Sequence, residues 1–147
     1  MPRSRTTGAV VSTDTPRVAV FFYGLFMDEG ALRAQGYEPR NAQRARLKGH
    51  RLAIGSRATL VKDPSDHVHG IVMSLTHDEL DELYGAGDLN TYRPEAVLLD
   101  VNGAPTAALC YVLPNGPDAV ANPQYAARLR ALCRALSFPD DYIHSIR

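Results

Sequence analysis

The segment that decides the fold of this chain is Arg17-Val-Ala-Val-Phe-Phe-Tyr23-Gly24-Leu25-Phe26-Met27-Asp28. Its first part, Val18 to Phe22, is continuously apolar, as expected for a strand that is buried on both faces. Asp28 is a typical helix N-cap residue, and Gly36 stands where that helix would end. The segment therefore predicts a buried strand, a short loop containing a glycine, and then a helix that begins near residue 28.

The loop around Tyr23-Gly24 has two interpretations. A loop between a strand and a helix exposes several backbone N–H groups, and such donors suit a carboxylate or a phosphate. A single glycine at this place is also common in a tight turn that binds nothing. The glycine patterns of a Walker loop and of a dinucleotide-binding loop are absent from the segment. On spacing alone both interpretations stay open, and the plain turn is the commoner one.

Length and charge limit the function classes. The chain has 147 residues, and its 16 basic side chains balance 16 acidic ones. Proteins that hold nucleic acid usually carry a marked basic excess, so the composition argues against that role. No apolar run approaches the roughly 20 residues that span a bilayer, and no signal peptide is recognised. We therefore expect a cytoplasmic protein with neither nucleic acid nor membrane as a partner.

Helix signals are clearest in the second half of the chain. Thr76 and Glu79 form a capping box, which predicts a helix from Thr76 to about Tyr84. Asn122 followed by a proline predicts a helix that continues to Leu136. Pro139 introduces a last short helix. These helices carry apolar residues at helical spacing and should pack on a sheet.

The strands are short and several. Asn102-Gly103 is the strongest hairpin signal, and Lys62 to Asp66 predicts a turn that separates two strands. The basic segment Arg44 to Ile54 predicts a strand or strand pair bent near Gly49. Many strands with few helices indicate an α+β fold with a mixed, strongly bent or closed sheet. We expect a flexible tail over residues 1–16 and a single domain over residues 17–147.

Two pairs of residues contain side chains that commonly bind metals. His67 and His69 lie two apart on a predicted strand, so their side chains project from one face. No third potential ligand follows at a spacing typical of metal sites, and histidines in such a pattern more often lie on the surface or at the rim of a pocket. Cys110 and Cys133 form no C-x-x-C pair, which predicts buried thiols. The sequence therefore predicts no metal and no cofactor.

Several separated stretches resemble, in order, the γ-glutamylcyclotransferase-like proteins. The segment Phe21 to Met27 is similar to the substrate loop of that family, which usually has Tyr-Gly-Ser/Thr-Leu. Leu80 to Gly85, followed by Tyr92-Arg93, resembles the catalytic segment. Further similar stretches are Ala58-Thr59-Leu60, Val68 to Met73, Cys110-Tyr111-Val112 and Asn122 to Tyr125. The resemblance covers Arg17 to Arg147 and implies a small mixed β-barrel flanked by helices.

The resemblance also implies an activity. The family converts a γ-glutamyl amine into 5-oxoproline and a free amine, because the α-amine of the substrate attacks its own γ-carbonyl. Backbone donors in a loop such as Tyr23 to Phe26 would hold the substrate and polarise a carbonyl. A carboxylate in a nearly dry pocket would move the proton, because burial raises its pKa toward neutrality.

The catalytic segment departs from the family pattern at one position. The general acid/base of the family is a Glu directly before the Gly, and Tyr84 stands there in this chain. A phenol with a pKa near 10 stays protonated at neutral pH, and loss of a positioned base typically costs about 10²- to 10⁴-fold in rate. Glu82 is a substitute only if the helix has already ended, because on a helix it points roughly 200° away. Leu25-Phe26 favours a ligand less polar than a glutamyl peptide.

Two functional hypotheses follow. The first is a divergent enzyme that acts on a small amide-type or related metabolite in a pocket built on the loop from Tyr23 to Phe26, and for which the standard release of 5-oxoproline is in doubt. The second is a non-catalytic protein that binds a small molecule or another protein. The candidate catalytic residues are Tyr84 and Glu82, and the oligomeric state stays open. The candidate substrate-binding residues are Tyr23, Gly24, Leu25, Phe26, Tyr92 and Tyr111; the last two are also explained as strand tyrosines that pack their rings.

Overall fold

Five strands close into a small barrel in the order β1-β3-β2-β4-β5 in the computed structural model, which describes residues 15–85 and 87–147. The strands are β1 (Arg17–Phe22), β2 (Arg40–Ile54), β3 (Ala58–Thr76), β4 (Arg93–Val101) and β5 (Ala104–Val112). The helices are α1 (Glu29–Ala34), α2 (His77–Gly85), α3 (Pro123–Ala135) and α4 (Asp140–Ser145), with single 3₁₀ turns at Leu25–Met27 and Gly87–Thr91. Most of the tail predicted for residues 1–16 lies outside the described residues, and the domain division stays a prediction.

The barrel is a mixed sheet. Strand β1 runs antiparallel to β3 and parallel to β5, which it meets where Val20 pairs with Leu109. Strand β2 is antiparallel to both β3 and β4, and β4 and β5 form a hairpin. The helices pack outside this sheet against its apolar outer face. The predicted α+β fold with a closed mixed sheet and flanking helices is confirmed.

Strand β1 separates two apolar cores. Phe21 and Tyr23 point into the barrel, whereas Val20 and Phe22 point outward beneath the helices. All four side chains are at most 6% exposed, as predicted for a strand buried on both faces. The barrel core also contains Leu47, Val68, Leu99 and Cys110, and the helix core contains Leu32, Met73, Leu80, Leu83, Leu129 and Cys133.

The local signals for helix ends and for the hairpin are confirmed. The Asp28 and Asn122 side chains accept hydrogen bonds from the first turns of α1 and α3, at 3.1 Å in each case. The Thr76 N–H donates to the Glu79 carboxylate at 2.9 Å, and the Glu79 N–H donates to the Thr76 hydroxyl at 3.1 Å. Asn102 has a φ of 52°, as the hairpin turn requires.

The predicted turn at residues 62–66 does not divide the strand. Lys62 pairs with His50 and His67 pairs with Lys48, so residues 63–66 have no partner on β2 and protrude as a bulge. The Asp63 carboxylate accepts both the N–H and the hydroxyl of Ser65, which is the turn chemistry that the sequence indicated. Because pairing resumes on both sides of the bulge, β3 is one strand of 19 residues and the prediction of two separate strands is wrong.

Both cysteines are free and buried, as predicted, and they lie in different cores. Burial raises the pKa of the Cys110 thiol to about 12 and that of Cys133 to about 11. The thiols are therefore protonated at neutral pH. None of the helices in the described part of the chain is long and apolar enough to cross a membrane.

His69 lies where β3 meets the C-terminal helix. Its ring centroid is 5.1 Å from that of His67, 5.7 Å from that of Phe138 and 4.8 Å from that of Tyr142. The Tyr142 hydroxyl donates a hydrogen bond of 3.4 Å to the His69 carbonyl. Burial, with smaller contributions from His67 and two nearby arginines, lowers the pKa of His69 to about 4. His69 therefore packs as a neutral ring.

The capping box predicts a first change in stability. Thr76→Ala removes the acceptor for the Glu79 N–H, and we expect a loss of about 1 kcal/mol in unfolding free energy. Thr76→Ser keeps the hydroxyl and should stay within a few tenths of a kcal/mol of the wild type. Urea unfolding of the three proteins measures the difference. An equal loss in both variants would contradict the role given to the hydroxyl.

The low pKa of His69 predicts a loss of stability in acid. The unfolded chain has the ordinary histidine pKa of about 6.5, so it binds the proton more readily than the folded protein between pH 6.5 and 4. Stability should fall through this window, by about 1–2 kcal/mol because the ring is only half-buried. Urea unfolding at several pH values should show a shallower slope for His69→Gln, while exposed His144→Gln keeps the wild-type slope. Identical slopes in all three proteins would refute the assignment.

Candidate functional site

A cavity of about 340 Å³ opens where β1 ends, a size within the usual range of small-molecule sites. Its walls come from the loop after β1, the start of β3, the end of α2 and the first turns of α3. The lining is mostly aromatic, with two arginines. The lining residues are Phe22, Tyr23, Gly24, Leu25, Phe26, Ser56, Arg57, Ala58, Tyr84, Leu89, Tyr92, Tyr125 and Arg128.

The structure brings most of the sequence-predicted residues together at this cavity. The four loop residues from Tyr23 to Phe26 line it, as do Tyr84 and Tyr92. Tyr111 stands behind the lining, where its ring stacks on that of Tyr84 with centroids 3.9 Å apart and planes 5° apart. Tyr111 thus supports the wall, whereas Glu82 lies elsewhere.

Gly24 is required by a close contact and not by a special backbone angle. Its φ of −112° is open to any residue. A Cβ atom at this position would lie 2.5 Å from the Tyr125 hydroxyl, which also accepts a hydrogen bond of 3.4 Å from the Leu25 N–H. The tight-turn interpretation therefore gives the wrong reason for the glycine. Gly24 lets the first turn of α3 approach the loop.

The loop keeps backbone donors at the cavity wall. The Met27 N–H bonds the Gly24 carbonyl at 3.0 Å, which closes the 3₁₀ turn. The N–H groups of Gly24 and Phe26 donate no hydrogen bond to any described residue. Both residues line the cavity. Two of the exposed donors that the sequence predicted for this loop are thus present.

Tyr23 forms the floor of the cavity and is fixed from inside the barrel. Its hydroxyl donates to the Tyr111 carbonyl at 2.6 Å. Fully buried Thr59 hydrogen-bonds the same hydroxyl, and its own oxygen accepts from the Leu113 N–H at 2.8 Å. Burial raises the pKa of Tyr23 well above its ordinary value. The Tyr23 hydroxyl therefore holds β1 to β3 and β5 as a neutral group.

Tyr84 contributes a neutral phenol to the lining of the site. The residue lies in the last turn of α2, and its ring contacts Phe26 edge-on at 5.9 Å and Tyr92 at 6.0 Å. Burial raises its pKa well above 10, and nearby Cys110 and the neighbouring phenols add to the effect. No described residue shares a hydrogen bond with its hydroxyl. At neutral pH this group donates a hydrogen bond and cannot act as a base.

Glu82 does not line the cavity, so the structure does not bring this candidate catalytic residue together with the others. It is exposed and hydrogen-bonds the Tyr37 hydroxyl, whose pKa it helps to raise. Helix α2 continues to Gly85, so Glu82 and Tyr84 remain on opposite sides of it. The condition under which Glu82 would replace a missing base is not met.

Tyr92 and Ser56 form hydrogen bonds that hold the part of the cavity wall at the start of β3. The Tyr92 hydroxyl donates to the Ala58 carbonyl at 2.5 Å, and burial raises its pKa. The Ser56 N–H donates to the Asp118 carboxylate at 2.8 Å, and the Ser56 hydroxyl bonds the other carboxylate oxygen. These bonds anchor the segment that carries Arg57 into the lining.

Seven of the thirteen described lining residues were not predicted as site residues from the sequence, and three of these seven carry a phenol or a guanidinium group. Tyr125 and Arg128 lie three apart on α3 and therefore share one face, and Arg57 precedes β3 directly. The first turn after the Asn122 cap was an available signal for Tyr125, whereas nothing local distinguishes the two arginines. Among the lining residues that the structure describes there is no Asp, Glu or His. No group of three or more metal-ligating side chains occurs in residues 15–85 and 87–147.

The chain resembles known proteins in sequence. A family model described as gamma-glutamyl cyclotransferase, AIG2-like, matches residues 20–128, which is more than half of the chain. The match includes the loop after β1, Tyr84 and the first turns of α3. No curated protein sequence matches the chain.

Solved structures share its fold. One named gamma-glutamyl cyclotransferase has a TM-score of 0.70 at 17% identity, covering 90% of this chain and 89% of that one. An uncharacterized protein from Homo sapiens has a TM-score of 0.70 at 22% identity, covering 89% and 88%. YkqA from Bacillus subtilis has a TM-score of 0.71 at 23% identity, covering 92% of this chain and 54% of its own. These likenesses show the fold, and with the family match the chain belongs to the gamma-glutamyl cyclotransferase, AIG2-like family.

Proposed function

We propose that this protein is a divergent cyclotransferase-like enzyme that acts on a small amide-type metabolite in the cavity at the end of β1. The observation that carries the proposal is Tyr84, a residue of the cavity lining whose hydroxyl makes no hydrogen bond with any described residue. In this proposal the hydroxyl donates a hydrogen bond to the carbonyl oxygen of the amide. The partner is a small molecule, with no part for nucleic acid or membrane.

Amide chemistry matches the donors on the cavity wall. When a nucleophile attacks an amide carbon, negative charge develops on the carbonyl oxygen, and fixed donors stabilise it. Tyr84 supplies a phenolic O–H, and the Gly24 and Phe26 N–H groups are further donors that no described residue occupies. The stack on Tyr111 holds the Tyr84 ring in place before the substrate arrives. Such preorganisation is the property that transition-state stabilisation requires.

The proton balance differs from that of a carboxylate-dependent enzyme. An amine of the substrate forms a bond to the carbonyl carbon, the bond to the leaving amine breaks, and one proton passes from the first amine to the second. No described lining residue is a base at neutral pH, so the attacking amine must arrive unprotonated and water must carry the proton. The substrate supplies its own nucleophile, so the reaction requires no cofactor. The rate should rise with pH until the attacking amine is deprotonated.

The cavity is also unsuited to a γ-glutamyl head group. An α-ammonium group needs an acidic partner when it leaves water, and none is present among the described lining residues. Leu25 and Phe26 stand where the family usually has a small hydroxyl residue followed by Leu. These features favour a less polar amide, so the release of 5-oxoproline is not the activity proposed for this protein.

A second candidate is binding without turnover. The same lack of a described acidic or imidazole group favours it, because loss of a positioned base alone typically costs about 10²- to 10⁴-fold in rate. In this case the cavity holds a small molecule, and the Tyr84 hydroxyl contributes only to affinity. The two candidates differ in whether removal of the hydroxyl changes a reaction rate or only a dissociation constant.

Substitution of Tyr84 tests the proposal. Tyr84→Phe keeps the ring stack but removes the donor, and we expect kcat on an accepted amide to fall about 10²- to 10³-fold. Tyr84→Glu restores the carboxyl group of the family and should gain release of 5-oxoproline from γ-glutamyl amines. Turnover of a panel of γ-glutamyl amines and of less polar amides that carry their own amine is followed by mass spectrometry. Exposed Glu82→Gln is the control and should match the wild type.

The outcomes separate the two candidates. Turnover by the wild type that disappears in Tyr84→Phe supports the enzyme. Ligand binding without turnover by either protein supports the binding function. Equal turnover in the wild type and Tyr84→Phe would remove Tyr84 from the chemistry and overturn the proposal.

The contact at Gly24 gives a further prediction. Gly24→Ala places a methyl group 2.5 Å from the Tyr125 hydroxyl, so the loop or α3 must shift, at a typical cost of about 1–3 kcal/mol in unfolding free energy. Ligand affinity should fall with it. Adding Tyr125→Phe removes the clash and should restore part of the stability, which urea unfolding measures. Gly30→Ala, whose new methyl meets only Asp28 at 3.4 Å, is the matched control. No rescue by the double variant would contradict the close contact.

A further inference from the structure

All charged side chains among the described lining residues of the cavity are positive. Arg57 and Arg128 both contribute to the lining, and no described lining residue is acidic. Arg57 is half-buried; hydrogen bonds from Ser56 lower the pKa of Asp118, with a smaller contribution from the Arg57 charge, and the same charge partly offsets the effect of burial that raises the pKa of Tyr92. Arg128 is exposed on α3 and makes no ion pair or hydrogen bond within residues 15–85 and 87–147. A bound molecule therefore meets the positive charge of Arg128 at the cavity, whereas the charge of Arg57 acts on the nearby Asp118 carboxylate.

The body of the cavity is aromatic. Five rings besides that of Tyr23 line it, and several of them already contact one another in edge-on or tilted geometry at about 6 Å between centroids. Aromatic rings attract a further ring through edge-on and offset contacts beyond what area burial alone gives. These five rings belong to Phe22, Phe26, Tyr84, Tyr92 and Tyr125.

We propose that the ligand of this cavity is an aromatic amide carrying a carboxylate, with its ring among the aromatic side chains and its carboxylate on Arg128. The inference rests on the proposed function for one element only, the amide carbonyl at the Tyr84 hydroxyl. It adds the two groups that flank this amide, a flat ring on one side and an anion on the other. N-benzoylglycine, the principal probe, leaves out the attacking amine of the proposed function and therefore binds without reacting.

Arg128 suits a carboxylate by its place and its chemistry. It lies three residues after Tyr125, so both side chains leave the same face of α3 toward the cavity. A guanidinium group binds a carboxylate through two parallel N–H···O bonds, and such pairs are stronger than neutral hydrogen bonds. Because Arg128 is otherwise unoccupied within the described residues, it loses no protein partner when the ligand binds.

An aromatic cavity can also bind a cation, but Arg128 opposes it here. Rings that surround an ammonium group attract it through their negative faces. Arg128 would repel the same ammonium group, and there is no acidic residue among the described lining residues to attract it. The cavity volume of about 340 Å³ accommodates a benzoyl group with an amide and a short acid. The anionic aromatic amide is therefore the class that satisfies the rings, the hydroxyl and the charge together.

Four matched probes test the inference on the full chain. They are N-benzoylglycine, its neutral methyl ester, N-cyclohexanecarbonylglycine, which lacks the aromatic ring, and N-(2-aminoethyl)benzamide, which exchanges the anion for a cation. Titration calorimetry and NMR chemical shifts give affinity and location. We expect N-benzoylglycine to bind best, the ester about 10- to 100-fold more weakly, and the amine more weakly still. The cyclohexane analogue should bind about 2- to 10-fold more weakly than N-benzoylglycine.

Arginine variants identify the group that holds the anion. Arg128→Gln should abolish the preference for N-benzoylglycine over its ester while leaving the affinity of the ester unchanged. A merely structural role for Arg128 would weaken both probes equally. Arg134→Gln, an exposed arginine six residues further along the chain, is the matched control and should preserve the preference.

Each outcome decides the inference. Four results would overturn it. Two are equal affinities: of N-benzoylglycine and its ester, or of N-benzoylglycine and the cyclohexane analogue. The other two are a preference for the acid over the ester that Arg128→Gln leaves unchanged, and no binding of N-benzoylglycine at all. In any of these cases, Tyr84-dependent binding or turnover of another amide leaves the proposed function standing. Loss of that dependence on Tyr84 refutes the proposed function instead, so the two failures are distinguishable.

Discussion

The whole site depends on one strand that is buried on both faces. Phe21 and Tyr23 are fixed inside the barrel, and Val20 and Phe22 are fixed beneath the helices, so β1 has no freedom to shift toward either side. A one-residue slip would exchange the two sets and expose both cores to the wrong neighbours. The loop that follows β1 therefore leaves the sheet at a fixed point, and the cavity is built around that point.

The fixed position of β1 also fixes Tyr84, through a series of contacts. The Tyr23 hydroxyl holds the Tyr111 carbonyl, and the Tyr111 ring stacks on Tyr84 at the end of α2. A neutral phenol is stable in such surroundings because burial penalises only its charged form. A carboxyl group at the same place would have its pKa raised by the same burial, which is what a proton-transferring group needs. One fold thus supports a base or a donor, depending on the residue before Gly85.

The sequence predicted what depends on local chemistry. The caps at Asp28, Thr76 and Asn122, the hairpin, and the buried β1 follow from short patterns whose physical causes are contained within a few residues. The turn at residues 62–66 was misjudged because turn chemistry within Asp63–Ser65 also forms a bulge, and only pairing with β2 distinguishes the two. For the same reason the arginines of the cavity were missed. Their role comes from distant segments that meet in space.

The sequence predicted several of the residues that meet at the site, but not the chemical character of its lining. The loop, Tyr84 and Tyr92 meet as expected, but Glu82 stays outside because α2 continues past it. In place of the carboxylate there is a neutral phenol, in a described lining that is mostly aromatic and contains two arginines. A neutral donor at Tyr84 cannot take a proton from an ammonium group, and a cationic lining does not favour such a group. The tyrosine at position 84 and the described lining are therefore consistent with each other, since neither offers an acidic partner to an ammonium group.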